Sequence, residues 1–242
     1  MGNDDAAPRL VQLGNWEIEH SSLEGPGAAW DDVVSAWLPA ENRLPPRAPD
    51  DFPSNGWRIV HTFHPVWAHE VIILSAPSQG EPYRWVLVQL SRDDNGWQFA
   101  TPYSSFGPIP ARAERRAGLR LDWAKTTYSM AKGSMPEINV VLVNESLREW
   151  TPSEEDTSHV QGLVLNQNGE QVGNGWYVTG STPRLPKLQP GQRTTLPVFR
   201  NNPELKSLPT GDYQMVAFLA ALNLRTLIPA NLTVESSTGH QP

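Results

Sequence analysis

The chain has 242 residues, of which 38% are hydrophobic and 19% are charged, so it has enough apolar side chains for a packed core. Its net charge of −7, from 19 Lys and Arg against 26 Asp and Glu, opposes binding to a phosphate backbone, and we expect no nucleic-acid partner. The lack of cysteine excludes disulfides, cysteine-ligated zinc and thiol catalysis, and no run of roughly 18 apolar residues predicts a transmembrane helix.

The N-terminal segment MGNDDAAPRL lacks both the basic and the apolar region of a signal peptide. We therefore expect a cytoplasmic protein; the alternative is a periplasmic or lipid-anchored protein from which the export signal has been removed. Residues 1–27 are expected to form an arm with one short strand in QLGNWEIEH (12–20), because apolar and polar residues alternate there until EGPG interrupts them.

The segment AAWDDVVSAWLPA (28–40) predicts the best helix in the chain. Its apolar residues recur at the spacing of one helical face, Asp31 and Asp32 lie in the first turn where the helix dipole favours them, and Pro39 ends the helix. The predicted apolar face comprises Trp30, Val33, Val34, Trp37 and Leu38.

A four-stranded antiparallel meander is predicted after the Pro-rich loop 41–56. Four segments have strand length and strand composition, and Asn95-Gly96 between the last two supplies the positive φ of a tight hairpin. With the helix they predict a small α+β domain over 28–110. The four segments are WRIVHTFH (57–64), AHEVIILSA (68–76), YRWVLVQLS (83–91) and GWQFATPY (96–103).

Residues 111–117 have the composition of a linker, and the chain beyond them is all β. We interpret the arginines in and just after this segment as a solvated connector; they are Arg112, Arg115, Arg116 and Arg120. Between residues 118 and 236, about seven short strands separated by turn signals predict an immunoglobulin-like (Ig-like) β-sandwich. Residues 237–242 are expected to be a disordered tail. The predicted fold is therefore mainly β, a small α+β domain followed by an Ig-like β-sandwich.

The second half resembles the bacterial Ig-like domains of the intracellular proteinase-inhibitor type. The resemblance is carried by INVVLVNES, LVLNQNGEQV, LQPGQ and SLPTGDYQMVAFL, and it covers residues 118–236. Tyr213, after Gly211 at the start of an apolar strand, stands where a tyrosine corner is expected. The resemblance does not carry inhibitory activity to this chain, because we find no reactive loop. The first half resembles cystatin-like or NTF2-like folds.

The segment HTFHPVWAH (61–69) holds three of the six histidines. If residues 57–64 form one regular strand, Trp57, Ile59, His61 and Phe63 share a face and His64 points to the other. A hairpin loop over 65–68 would then set His64 opposite His69, within reach of a shared metal ion. A catalytic zinc normally needs three protein ligands, and no third one can be named. The segment therefore indicates either a plain hairpin or a metal site at His64 and His69.

Ten tryptophans are distributed without a fixed period. Trp30, Trp37, Trp57 and Trp85 occupy apolar-face positions and are expected in the core. Four others lie at or near predicted turns, where an exposed ring can stack on a sugar or anchor a protein partner. These candidate binding residues are Trp67, Trp97, Trp150 and Trp176.

No catalytic motif is present: the chain has no Gly-x-Ser-x-Gly, no Walker A sequence and no His-Glu-x-x-His. We therefore predict a non-catalytic binding, adaptor or assembly protein that uses no cofactor and engages a protein partner. One alternative is a metal-dependent hydrolase using His64 and His69. The other is a carbohydrate-binding module that uses the turn tryptophans, with a glycan or another small molecule as its ligand.

Overall fold

The computed structural model describes residues 9–48, 50–100, 105–173, 183–199 and 202–236. The fold is mainly β, as predicted, with several antiparallel sheets and three short α-helices in this described part. The chain divides into two compact units, Met1–Ala111 and Arg112–Pro242. Within the described ranges, every helix is too short or too polar to cross a membrane.

The first unit contains eight strands and one short α-helix in its described part, with 3-10 turns at His20–Leu23 and Ala40–Asn42. The helix α1 spans Trp30–Val34. The strands are β1 (Leu10–Leu13), β2 (Trp16–Glu19), β3 (Arg58–Phe63), β4 (Glu70–Ser78), β5 (Glu81–Asp93), β6 (Gly96–Ala100), β7 (Ser105–Phe106) and β8 (Ile109–Pro110).

The antiparallel meander β3-β4-β5-β6 is the central layer of the first unit. The three-stranded sheet β2-β1-β8 packs on one face through Val71 and Ile73 of β4, and α1 packs on the other face through Ile72 and Leu74. Because strand side chains alternate, a strand covered on both faces must be apolar throughout, which explains the run VIIL.

The helix α1 is shorter than the predicted helix over 28–40. Only residues 30–34 are α-helical, and the chain then turns so that the amides of Trp37 and Leu38 both donate to the carbonyl of Val34. The predicted face is nevertheless the buried one, since Trp30, Val34 and Leu38 are each at most 4% exposed. The predicted length was wrong because the apolar face continues through the turn after the helix ends.

A β-bulge at Val60 reverses the predicted alternation along β3. Ile59 pairs with Leu74 and His61 pairs with Ile73, so Val60 is an extra residue in this strand. Trp57 packs in the cluster around α1, whereas Phe63 belongs to the opposite cluster, where its ring lies 5.0 Å from Trp16. The prediction that Trp57, Ile59, His61 and Phe63 share one face is therefore wrong.

The second unit contains nine strands and two short α-helices in its described part, with a 3-10 turn at Ala220–Leu222. The helices are α2 (Arg112–Arg115) and α3 (Pro203–Lys206). The strands are β9 (Leu119–Trp123), β10 (Thr127–Ala131), β11 (Ile138–Asn144), β12 (Val160–Leu165), β13 (Gln171–Val172), β14 (Arg193–Val198), β15 (Gly211–Leu219), β16 (Leu224–Arg225) and β17 (Ala230–Glu235).

Two sheets enclose the core of the second unit. One has the order β14-β11-β9 and the other the order β10-β17-β15-β12-β13, with β16 paired to β15. Only β10 and β17 run parallel among the described pairs of this unit. Leu121 and Val140 of the first sheet share one buried cluster with Met215 and Leu232 of the second. The hydroxyl of Tyr213 donates to the carbonyl of Pro209 at 2.9 Å, across the turn that precedes β15.

Residues 111–117, predicted to be a linker, contain α2 and one buried charge. The Arg115 side chain is 6% exposed and lies 3.0 Å from the fully buried carboxylate of Asp156. The interpretation of Arg115 as a solvated residue is wrong, because a buried carboxylate and the carbonyl of Ala221 satisfy its guanidinium inside the unit. The predicted tail, residues 237–242, lies outside the described residues.

Candidate functional site

The loop between β3 and β4 carries two exposed apolar side chains and lies beside the turn between β5 and β6. We call residues 64–69 the hairpin tip. Beside it lies a cleft of about 270 Å³ lined by residues 65–69, Asp93 and Asp94. Both hairpins belong to the same meander, so the tip lies on a hydrogen-bonded sheet.

The backbone of the hairpin tip is fixed by hydrogen bonds at its base. The amide of His69 donates to the carbonyl of Arg92 at 2.8 Å, which joins the tip to β5. Nδ1 of His64 lies 2.8 Å from the carbonyl oxygen of His69. Because a carbonyl oxygen can only accept, His64 carries its hydrogen on Nδ1, and its ring closes the loop.

The imidazole of His69 joins the hairpin tip to the neighbouring turn. Its Nε2 lies 2.8 Å from Oδ1 of Asp94, whose side chain is 93% exposed. Asp93 supports the same turn by accepting hydrogen bonds from the amide of Asn95 and from Nε2 of Gln98. Both carboxylates belong to the turn that lines the cleft beside the hairpin tip.

Two large apolar side chains extend from this anchored loop. Val66 is fully exposed and Trp67 is 60% exposed. The two residues are adjacent and share the cleft with Asp93 and Asp94. An exposed indole with carboxylates beside it can stack on a flat or apolar group and attract a positive one.

The structure brings His64 and His69 together but commits a nitrogen of each ring to a protein acceptor. In the ranges that the structure describes, no three His, Asp or Glu side chains are grouped so that they could hold a metal ion. His61 lies apart from this pair, with its ring 5.5 Å from Phe63 and 6.1 Å from Trp16.

Two of the other candidate tryptophans, Trp150 and Trp97, are less exposed than Trp67. Trp150 is 8% exposed and its Nε1 donates to the carbonyl of Arg115 at 2.6 Å, so the expectation of an exposed ring there is wrong. Trp97 is half-buried, with its ring 6.1 Å from Trp37 and beneath the guanidinium of Arg92. Trp176 lies outside the described residues.

A second apolar surface, which the sequence interpretation missed, lies on the second unit. A groove of about 380 Å³ is lined by residues 120–123, 126 and 226–229, and we call it the edge groove. Leu227 and Ile228 are 83% and 73% exposed beside it. The only local signal in the sequence is the apolar pair Leu227-Ile228 before Pro229, in a segment not predicted as a strand.

The charged residues near the edge groove are bonded to one another. Arg120 donates to the carboxylates of Asp122 and Glu145, the latter at 2.7 Å. The hydrogen bond to Glu145, more than any other interaction, raises the pKa of the Arg120 guanidinium. The rim of the groove is thus polar and internally paired, while its walls are mainly apolar.

Comparisons with protein-family models, with curated proteins and with solved structures give no match for this chain. Its function is therefore argued from the geometry of these two surfaces. Both offer exposed apolar side chains on an ordered backbone, which is chemistry suited to binding.

Proposed function

We propose that this protein is a non-catalytic binding or adaptor protein that engages a protein partner through the hairpin tip of its first unit. The observation that carries the proposal is the exposure of Val66 and Trp67, at 107% and 60%, on a loop whose base is hydrogen-bonded on both sides. Exposed apolar groups that adjoin in this way are more typical of interaction sites than of an ordinary surface.

Tryptophan is the residue type most enriched among the side chains that dominate protein interfaces. Burying a large apolar side chain contributes about 1.5–3 kcal/mol, and a loop already held in place loses little conformational entropy when it binds. The bonds from His64 and His69 hold the tip before any partner arrives. Trp67 is therefore the expected anchor of the interface.

The charge near the hairpin tip indicates what surrounds the partner's pocket. Asp93 and Asp94 flank Trp67 in the cleft, and the chain carries a net charge of −7. Opposite charges across an interface raise the association rate and exclude wrong partners. The expected partner surface is an apolar pocket with Lys or Arg at its rim.

The second unit is proposed to be an Ig-like sandwich of the kind found in intracellular proteinase-inhibitor-type domains. The strand orders β14-β11-β9 and β10-β17-β15-β12-β13 support this, as does the bond from the Tyr213 hydroxyl to Pro209. Such sandwiches serve many binding roles, so the proposal concerns architecture and carries no inhibitory activity.

Carbohydrate binding is the second candidate, favoured by the cleft of about 270 Å³ that places Trp67 beside two carboxylates. A sugar ring can stack on the indole while Asp93 and Asp94 accept its hydroxyl hydrogens. The two candidates differ in what binds, so competition by unlabelled protein or by oligosaccharides separates them.

The test is site-specific photocrosslinking of the full chain in its source cells. A benzoylphenylalanine is placed at residue 66, and the control carries it at Tyr83, which is 85% exposed elsewhere on the first unit. We expect one protein adduct from residue 66, suppressed by excess unlabelled protein but not by excess Trp67→Ala. An adduct from both positions alike, or suppression by oligosaccharides instead, would contradict protein binding at the tip.

A further inference from the structure

We propose that the edge of β9 and the edge groove receive an extended segment of a partner protein, which adds a strand beside β9 and sets apolar side chains into the groove. This inference goes beyond the proposed function, because it concerns a surface of the second unit that Trp67 does not share. Either proposal can fail without the other.

The outer edge of β9 is the first observation. In the described part of the chain, β9 ends its sheet and pairs only with β11. Ala124 donates to Asn139 and Glu145 donates to Gly118, so the even-numbered residues of this strand bond to β11. The backbone groups of Leu121 therefore point to the opposite edge, as do those of Trp123, and no partner for them is found among the described residues.

The edge groove adjoins these backbone groups. Leu121 and Trp123 form part of one wall, and Leu227 and Ile228 form part of the other. The opposite wall is held in place, because the amide of Thr226 donates to the carbonyl of Ala217 at 3.0 Å. The groove is thus bounded by two ordered segments, and Leu227 and Ile228 are exposed beside it without a covering group in the described structure.

A row of unpaired backbone donors and acceptors specifies an extended backbone as its complement. In an added strand, alternate side chains point to one face, and here that face meets the edge groove. Arg120 is the one cation among the described residues that line the groove, and it is already bonded to Asp122 and Glu145, so the lining offers no free cation to select a charged ligand. The occupant is therefore an extended partner segment with apolar side chains at every second position.

Selection from a displayed library of random 12-residue peptides against the full chain tests this inference. The groove variant is Leu227→Lys with Ile228→Lys, and the matched control is Leu147→Lys, since Leu147 is 95% exposed on the same unit. We expect the unmodified chain and the control to enrich peptides with alternating apolar residues, and the groove variant to lose that enrichment by at least tenfold.

Hydrogen exchange then locates the bound peptide. The amides of Leu121 and Trp123 are expected to exchange rapidly in the free protein and at least tenfold more slowly with an enriched peptide. Slow exchange of these amides in the free protein at all concentrations would show an edge that is already paired, and would overturn the inference. Protection that appears only as the protein itself is concentrated would identify a second copy as the occupant and overturn it too.

Two further results would also count against it. One is the lack of any alternating peptide among those enriched by the unmodified chain. The other is equal enrichment by the groove variant. Because all the substituted side chains are exposed, unchanged thermal unfolding of the variants separates a lost surface from a lost fold.

Discussion

The guanidinium of Arg115 is paired with the carboxylate of Asp156 inside the second unit, 41 positions apart in the chain. Oδ1 of Asp156 accepts from Arg115, and Oδ2 accepts from the amide and hydroxyl of Ser153, each at 2.8 Å. The pair therefore fastens the start of the second unit to the loop that precedes β12, with both oxygens of the buried carboxylate satisfied.

Removing one partner of this pair leaves an uncompensated charge in the core. Asp156→Ala is expected to lower the free energy of unfolding by about 3–5 kcal/mol. Lys187→Ala is the control, because the ion pair of Lys187 with Glu149 is exposed and should matter far less. Urea unfolding monitored by hydrogen exchange of the β15 amides measures both. Equal effects from the two substitutions would contradict the structural role of Asp156.

Gly27 lies where two backbone segments touch in the first unit. A Cβ at this position would lie 2.4 Å from the carbonyl carbon of Gly56, and φ is +67°. Gly27→Ala should therefore lower the free energy of unfolding by about 3 kcal/mol or more. Gly25→Ala is the matched control, since Gly25 also has a positive φ but open space around its Cβ; it should cost about 1 kcal/mol. Thermal unfolding that fails to separate the two variants would contradict the close backbone approach.

In the second unit, the ring of Phe199 packs directly on Gly162 and fills the space that a side chain at residue 162 would need. A Cβ at residue 162 would lie 2.3 Å from the buried Phe199 ring, so Gly162→Ala should cost about 2–3 kcal/mol. Phe199→Leu should cost about 1–3 kcal/mol, since it leaves a partial cavity. The double variant is expected to lose less than the sum, because the smaller side chain gives the methyl group room. Strict additivity in urea unfolding would contradict the contact.

His159 makes the second unit less stable in mild acid. Burial lowers the pKa of its imidazole, and its Nε2 has no hydrogen-bond partner among the described residues. The unfolded chain, with an ordinary pKa of about 6.5, then binds more protons than the folded one. The stabilisation that depends on a neutral His159 is fully present above about pH 6.5, and it is lost as the pH falls through the lower pKa of the folded protein. The free energy of unfolding should therefore decline as the pH falls below about 6.5, with a slope that corresponds to the uptake of less than one proton on unfolding. His159→Gln should flatten this pH dependence, and an unchanged slope would contradict the role of His159.

Local patterns predicted the strands well and the exceptions to them poorly. The apolar run of β4 and the turn at Asn95-Gly96 could be predicted because each depends on residues that are neighbours in the sequence. Gly96 has the positive φ that the turn requires, at 102°. The bulge at Val60 leaves no such mark, so the faces of Ile59 and His61 were assigned wrongly.

Long-range partners explain why the candidate sites could be predicted only in part. Trp150 resembled a turn residue, yet its Nε1 finds the carbonyl of Arg115, 35 positions away. The edge groove joins residues 120–123 to residues 226–229, a pairing that no local pattern contains. Trp67 could be predicted as a candidate binding residue because it lies in a short loop directly after Pro65. The bond between His69 and Asp94 could not be predicted, because Asp94 belongs to the neighbouring hairpin.

The most direct test of the account is calorimetric titration with the partner protein that the crosslinking identifies, purified without the crosslink. It is titrated into the full chain, the Trp67→Ala variant and the Tyr83→Ala variant. Loss of a central aromatic anchor typically costs 2 kcal/mol or more, so we expect Trp67→Ala to weaken binding by roughly 30-fold. Tyr83→Ala should bind within about twofold of the unmodified chain, as expected for a residue outside the interface. Unchanged affinity of Trp67→Ala, or an equal loss from Tyr83→Ala, would contradict binding through the hairpin tip.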